Sequence, residues 1–176
     1  MSELHTVAHK MVEKNKGILA ADESTPTCTK RFESINTEST AESRNMYRNM
    51  LFTAKDIEKY ISGVILFDET FHQSELSSGL KIPEYLTSKN ILPGIKVDQG
   101  LENFGSKEKL TTGLDGLSER LNRYYALGAR FAKWRAVISP GDGTPTDECI
   151  LANAKNLAIY AQKCQNANLV PIVEPE

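Results

Sequence analysis

Five short apolar runs along the chain share one pattern. Each run begins with mostly aliphatic residues and becomes charged near its carboxyl end. Such runs are typical of strands that are buried on both faces, as in parallel sheets. The pattern therefore predicts five buried strands. Their sequences are GILAADES (17–24), SGVILFDET (62–70), LPGIKVDQG (92–100), ARFAKWRAV (129–137) and LVPIVEPE (169–176).

Segments with helical periodicity lie between these runs. Residues 3–15 carry an apolar stripe, and residues 40–55 follow a polar loop and predict a second helix. A third helix is expected to begin at Ser118 as N-cap and to end at Gly128, and a long amphipathic helix is expected from Thr146. Strands that alternate with helices predict an α/β protein with a parallel sheet.

Length and composition are those of one ordinary globular domain, residues 1–176. Apolar residues make up 40% and charged residues 25%, and the formal net charge is −2. Mixed charges argue against a nucleic-acid surface, and no apolar run approaches the roughly 20 residues that cross a membrane. The N-terminus lacks a signal-peptide pattern, and the three cysteines lack metal or redox spacing, so we expect a cytoplasmic protein with reduced thiols.

The charged residues lie where sites form in parallel α/β proteins, at the carboxyl ends of strands. Three strands repeat the order charged, apolar, charged, and residues i and i+2 of a strand share a face. We therefore expect the charged residues to share an inner face and the residues between them, Val97, Trp134 and Pro175, to face the helices. The three charged pairs are Lys96 with Asp98, Lys133 with Arg135, and Glu174 with Glu176.

Clustered cations and carboxylates of this kind have a definite chemistry. Cations bind phosphate and stabilise developing negative charge, and carboxylates act as acid and base. A neighbouring ammonium lowers a lysine's pKa, so the residues alone favour Lys133 as an amine nucleophile. The opposing interpretation is a set of solvated strand ends. His5 and His9 lack a third ligand and are expected to be exposed helix residues, so no metal is predicted.

Six motifs in this order and at these spacings closely resemble the class I, metal-independent, fructose-bisphosphate aldolases. They are GILAADEST, GVILFDET, GIKVDQG, LDGLSER, FAKWRAV and LVPIVEPE, and the resemblance runs from about residue 3 to residue 176. It implies an eight-stranded (β/α) barrel, of which this chain supplies the first five βα units. It also implies reversible cleavage of fructose 1,6-bisphosphate through a Schiff base, without a cofactor, in a cytoplasmic and commonly tetrameric enzyme.

The resemblance also implies roles for individual residues. Asp22 resembles the aspartate that assists proton transfer, Lys133 an assisting cation, Glu174 the general acid/base and Glu176 its neighbour near the Schiff-base amine. Substrate contacts are implied for four cationic residues, which are Arg31, Arg44, Lys96 and Arg135.

The chain departs from the family pattern in three ways. Pro26 replaces a usual glycine beside the phosphate site, and Gln99 stands where a lysine is common. The family's Schiff-base lysine follows VEPE on the sixth strand, and this chain ends before it. Three alternatives stay open: the N-terminal part of an active aldolase, an inactive remnant or interaction module, and a different sugar-phosphate barrel enzyme.

Overall fold

The computed structural model describes residues 2–176, which form helices and strands in alternation. The helices are α1 (Glu3–Met11), α2 (Thr25–Glu33), α3 (Ala41–Phe52), α4 (Asp68–His72), α5 (Ile82–Ser88), α6 (Leu117–Ala126) and α7 (Asp147–Asn166). The strands are β1 (Gly17–Ala21), β2 (Ile61–Leu66), β3 (Leu92–Lys96), β4 (Leu101–Phe104), β5 (Glu108–Thr111), β6 (Phe131–Ala136) and β7 (Val170–Pro175). No helix within the described residues has the length and apolarity that crossing a membrane requires.

The main sheet confirms the predicted architecture. Its strands run in the order β1-β2-β3-β6-β7 and every neighbouring pair is parallel, so the five strands form a half-barrel. Strands β4 and β5 form a separate antiparallel hairpin between β3 and α6 in the chain. Each of the five predicted runs contains one strand of the main sheet, which brings their charged carboxyl ends to one side.

The outer face of the sheet carries the larger core. Val97 and Trp134 are buried against the helices, as the sequence predicts, and the Trp134 ring lies 5.5 Å from that of Tyr160 on α7. Pro175 differs from the prediction because it is exposed at the end of β7, the last strand of the sheet. The outer face is therefore buried by helices at Val97 and Trp134 and exposed to solvent at Pro175.

The inner face has a smaller core of its own, and a glycine pair shapes it. The Phe131 ring lies across Gly94 of β3 and Gly63 of β2: a Cβ atom at Gly94 would come within 2.2 Å of the ring. Val7 and Met11 of α1 belong to the same cluster, so this helix covers the amino ends of the strands. The bulky aromatic ring and the two glycines are complementary, which fixes the spacing of β2, β3 and β6.

Helix boundaries agree with the predictions in part. Thr40 and Thr146 cap α3 and α7, and Gly128 follows the C-cap of α6 with φ of 104°. The N-cap of α6 is Gly116 and not Ser118, which lies inside the first turn. Helix α1 ends at Met11, four residues before the predicted end, because Asn15 adopts the left-handed conformation in the turn before β1.

Several short elements escape the sequence pattern. Helix α2 lies in the segment interpreted as a polar loop, and α5 and the β4–β5 hairpin are too short to show a clear period. The predicted run 62–70 is a strand only as far as Leu66. Asp68 and Glu69 instead occupy the first turn of α4, where carboxylates interact favourably with the helix dipole.

Candidate active site

Charged side chains crowd the carboxyl ends of the strands on the inner face. In the register of the sheet, Lys96 lies beside Lys133, and Arg135 lies beside Glu174. These strand ends border a cleft of about 490 Å³. The charged residues that line it include Asp22, Arg31, Lys96, Asp98, Lys133 and Arg135. A concave site with converging charged groups suits a small anionic ligand.

Lys133 stands between two carboxylates from different strands. Its Nζ donates a hydrogen bond to Asp22 Oδ2 at 3.1 Å and lies 3.5 Å from Glu174 Oε2. Burial acts to lower the pKa of the Lys133 ammonium, but the charges of Asp22 and then Glu174 outweigh it, so the pKa lies above its ordinary value. The raised pKa favours the protonated amine and so argues against Lys133 as an amine nucleophile, and its role as an assisting cation remains a prediction.

Lys96 is held by Asp98, which lies two residues further along the chain. Its Nζ donates to Asp98 Oδ1 at 2.6 Å and to the Asp98 carbonyl at 3.2 Å. The second Asp98 carboxylate oxygen lies 3.5 Å from the backbone N–H of Arg135. Asp98 thus ties the ends of β3 and β6 together. The alternating charge pattern predicted that it shares a face with Lys96, but did not include it among the site residues.

Arg135 lines the cleft, and Glu176 pairs with it at the end of the neighbouring strand. Arg135 Nη1 lies 3.5 Å from Glu176 Oε2, and both side chains are largely exposed. An exposed pair of this kind contributes little to stability, so both groups are available to a ligand.

Arg31 projects from α2 towards the same cleft and is 57% exposed. Its guanidinium contacts Glu23, and the Glu23 charge raises the pKa of Arg31. The Tyr47 hydroxyl donates to the same Glu23 carboxylate at 2.9 Å. Sequence reasoning found Arg31 but missed Glu23 and Tyr47 as its supports, because they meet only when α3 packs beside the end of β1.

Arg44 does not reach the cleft in this structure. Its Nε and Nη2 atoms donate to the two carboxylate oxygens of Glu69 at 2.8 and 2.6 Å, and Nη1 donates to the Ser39 carbonyl. The hydrogen bonds to Glu69 raise the pKa of Arg44. The predicted contact between Arg44 and substrate phosphate remains a prediction, since the guanidinium is fully engaged between α3 and α4.

Two of the three departures from the family pattern, Pro26 and Gln99, lie in a neighbouring pocket of about 480 Å³. Pro26 and Gln99 line it together with Lys96, which also lines the cleft. Pro26 sits in the first turn of α2, where the missing N–H costs no helical hydrogen bond. Pro26 therefore fits the helix but offers no backbone donor to a ligand beside it.

The comparison with protein families agrees with the fold and with the motifs. The family model described as fructose-bisphosphate aldolase class-I matches residues 3–176. This chain belongs to that family. The match covers all five strands and the whole cleft.

Known class I aldolases are similar over nearly the whole chain. Over 178 residues, the chain is 53% identical to fructose-bisphosphate aldolase of Plasmodium falciparum, covering 99% of the chain and 48% of that protein. It is 50% identical to a probable class 1 aldolase of Xanthomonas axonopodis pv. citri, covering 100% of the chain and 53% of that protein. The chain thus spans about half the length of the curated relatives that it matches.

A solved structure is similar in shape as well as in sequence. This is the Plasmodium falciparum aldolase in a ternary complex with TRAP and a small-molecule inhibitor. It superposes with a TM-score of 0.94 at 52% identity, covering 98% of this chain and 51% of that chain. The half-barrel is therefore the fold of an aldolase over the part that the chain spans.

Within residues 2–176, no group of three or more histidine, cysteine or acidic side chains is arranged to hold a metal ion. His5 and His9 of α1 have Nε2 atoms 3.0 Å apart and are both exposed. They lie on the helix at the amino ends of the strands, on the opposite side from the cleft.

Proposed function

We propose that residues 1–176 are the N-terminal part of an active class I fructose-bisphosphate aldolase. The complete enzyme would cleave fructose 1,6-bisphosphate reversibly to dihydroxyacetone phosphate and glyceraldehyde 3-phosphate. The observation that carries this proposal is the position of Lys133, which lies between Asp22 and Glu174 at the mouth of the half-barrel. Family membership gives the reaction class, and this cluster gives the charges that the reaction needs.

The cleavage requires an electron sink and a base, and the ketone-derived fragment must afterwards regain a proton. When the carbon–carbon bond breaks, its electron pair passes to the ketone-derived fragment, where a Schiff-base iminium accepts it. The hydroxyl group of the departing aldehyde must lose its proton at the same time. A carboxylate at hydrogen-bonding distance can accept that proton. Asp22 lines the cleft and bonds to Lys133, and Glu174 lies 3.5 Å from the same lysine.

In this proposal, Lys133 is a fixed positive charge and does not form the Schiff base. Its raised pKa keeps the amine protonated, and a protonated amine has no lone pair to attack a carbonyl. The ammonium instead stabilises negative charge that develops on substrate oxygens. The nucleophile would be a lysine on a following strand beyond residue 176, as in the family that the motifs resemble.

The cationic lining of the cleft fits the phosphate groups of the substrate. Arg31 and Arg135 project into it and are 57% and 45% exposed, so they can form new contacts. A guanidinium binds phosphate through two parallel hydrogen bonds. Lys96 would contribute a third cation, provided that substrate displaces Asp98 from its Nζ atom.

A coupled assay on the complete protein and on residues 1–176 alone tests this proposal. The complete protein is expected to cleave fructose 1,6-bisphosphate, and residues 1–176 alone are expected to show no turnover because they lack the nucleophile. A folded complete protein without cleavage activity would reject the proposal and favour an inactive protein or interaction module. Activity on another sugar phosphate alone would favour a different barrel enzyme.

A further inference from the structure

The Arg48 guanidinium is buried beneath the active-site cleft, beside the loop that carries Asp22. Arg48 lies on α3 and is 2% exposed. Its Nε donates to the Ala21 carbonyl at 2.8 Å, and its Nη2 donates to the Glu23 carbonyl at 2.8 Å. The guanidinium thus holds the main-chain carbonyls on both sides of Asp22.

This loop has no support from the sheet. Strand β1 ends at Ala21, and α2 begins at Thr25, so Asp22 and Glu23 lie between the two elements. The Asp22 side chain must nevertheless point across the inner face to Lys133 at 3.1 Å. The orientation of the Asp22 side chain therefore depends on contacts from outside the loop. The two hydrogen bonds from Arg48 can supply them, because they fix the carbonyls of the residues on either side of Asp22.

The contacts of Arg48 also show why an arginine stands there. Nη2 lies 3.2 Å from Glu23 Oε2, and Nη1 contacts Cys28 Sγ at 3.2 Å. One planar guanidinium donates to both carbonyls and the Cys28 sulfur while it lies in ion-pair contact with Glu23, whereas a lysine ammonium is a single point on a flexible stem. Burying a charge is expensive, and one carboxylate together with two carbonyls compensates for it.

Arg48 itself is not among the residues that line the cleft. It therefore cannot act by touching the substrate. We propose that Arg48 is a positioning residue: it aims the Asp22 carboxylate at Lys133 by holding the main chain on either side of Asp22. The expected effect on kcat rests on the proposed aldolase function, whereas the expected orientation of Asp22 rests on the geometry alone.

The kinetic test uses Arg48→Lys in the complete protein. The expected result is a fall in kcat of about 10- to 100-fold, because a shift of about 1 Å in a catalytic group can cost about 100-fold. KM should rise by a smaller factor than kcat falls, because Arg48 does not contact the substrate and reaches Arg31, a proposed phosphate ligand, only through Glu23. Met11→Ala is the matched control. Met11 is buried on α1, which covers the amino ends of the strands, so this variant should lose stability but not kcat.

A double-mutant comparison separates positioning from loss of fold. In the Asp22→Asn background, Arg48→Lys is expected to lower kcat by less than about twofold, because the group that it positions is already gone. An equal loss in both backgrounds would overturn the proposal. Arg48→Gln is the second variant; if neither variant folds, Arg48 is a structural anchor and the positioning assignment is rejected.

A measurement that needs no aldolase activity distinguishes this inference from the proposed function. The rate at which acetic anhydride labels Lys133, followed by mass spectrometry across pH, reports the pKa of its ammonium. In the wild type, Asp22 helps to raise that pKa, so Arg48→Lys should lower it while Met11→Ala should not. An unchanged Lys133 titration in folded Arg48→Lys would refute the positioning role, even if the complete protein proved not to be an aldolase.

Discussion

Two clusters of this molecule each pair a cationic side chain with a carboxylate, but they differ in how many hydrogen-bond donors they leave free. Lys133 contacts Asp22 and Glu174 at 3.1 and 3.5 Å, and these carboxylates engage at most two of the three N–H donors of its ammonium. Arg44 binds both oxygens of Glu69 at 2.8 and 2.6 Å and also binds Ser39. The first cluster is loosely paired at the inner face of the sheet, and the second is saturated between two helices.

The difference shows that the position of a charged side chain in the fold determines whether it can bind a ligand or only stabilises the structure. Lys133 lies on a strand whose inner face opens into the cleft, so its partners come from the ends of other strands. Arg44 lies on a helix beside α4, where Glu69 is held in the first turn. A residue with all of its hydrogen bonds made stabilises the fold, and a residue with donors to spare can serve a substrate.

The largest expected effect is a loss of kcat when the carboxylate of Glu174 in the first cluster is replaced; the same change in the second cluster serves as the control. In the complete protein, Glu174→Gln should lower kcat by about 10²- to 10⁴-fold, because a positioned acid or base contributes that much. Glu69→Gln is the control and should leave kcat within about threefold. Steady-state kinetics on both variants measures the two values of kcat. If kcat of Glu174→Gln lies within threefold of the wild-type value, Glu174 is a solvated strand end and not an acid/base.

The next effect concerns the packing that supports the first cluster. Phe131 lies two residues before Lys133, and its ring covers Gly94, which lies two residues before Lys96. Gly94→Ala places a methyl group into that ring and should reduce the free energy of unfolding by about 1–3 kcal/mol. Denaturant unfolding of the complete protein measures the loss. Gly17→Ala, where an added Cβ meets nothing within 4 Å, is the matched control.

A smaller effect is expected from loosening the second cluster. Arg44→Lys keeps the positive charge but cannot bind Glu69 through two parallel bonds, so it should cost about 1 kcal/mol of stability. Its KM should stay within about threefold, because Arg44 is engaged away from the cleft. A KM increase of tenfold or more would instead assign Arg44 to substrate binding, as the family resemblance implies.

The sequence predicts those parts of the fold that follow from local pattern. Five apolar runs gave the five strands, and the charged positions at i and i+2 gave the cluster at their ends. Helix α2 was missed because its threonine-rich first half shows no clear apolar period. Arg48 was missed because its main acceptors are main-chain carbonyls, which leave no mark in a sequence.

The chemistry of Lys133 could not be read from its neighbours along the chain. Its hydrogen-bond partner Asp22 is 111 residues away, and Glu174 belongs to another strand. From sequence, the nearby cations predicted a lowered pKa, whereas the folded arrangement supplies two carboxylates and raises it. Distances in space, which the sequence pattern does not give, determine the sign of this shift.

The most direct test of this account identifies the lysine that forms the Schiff base. The complete protein is incubated with dihydroxyacetone phosphate, reduced with borohydride, digested and mapped by mass spectrometry. The account predicts a substrate-dependent adduct on a lysine beyond residue 176, with Lys96 and Lys133 unmodified. An adduct on Lys133 would contradict it, since that lysine would then be the nucleophile and not the charge that Asp22 and Glu174 keep in place.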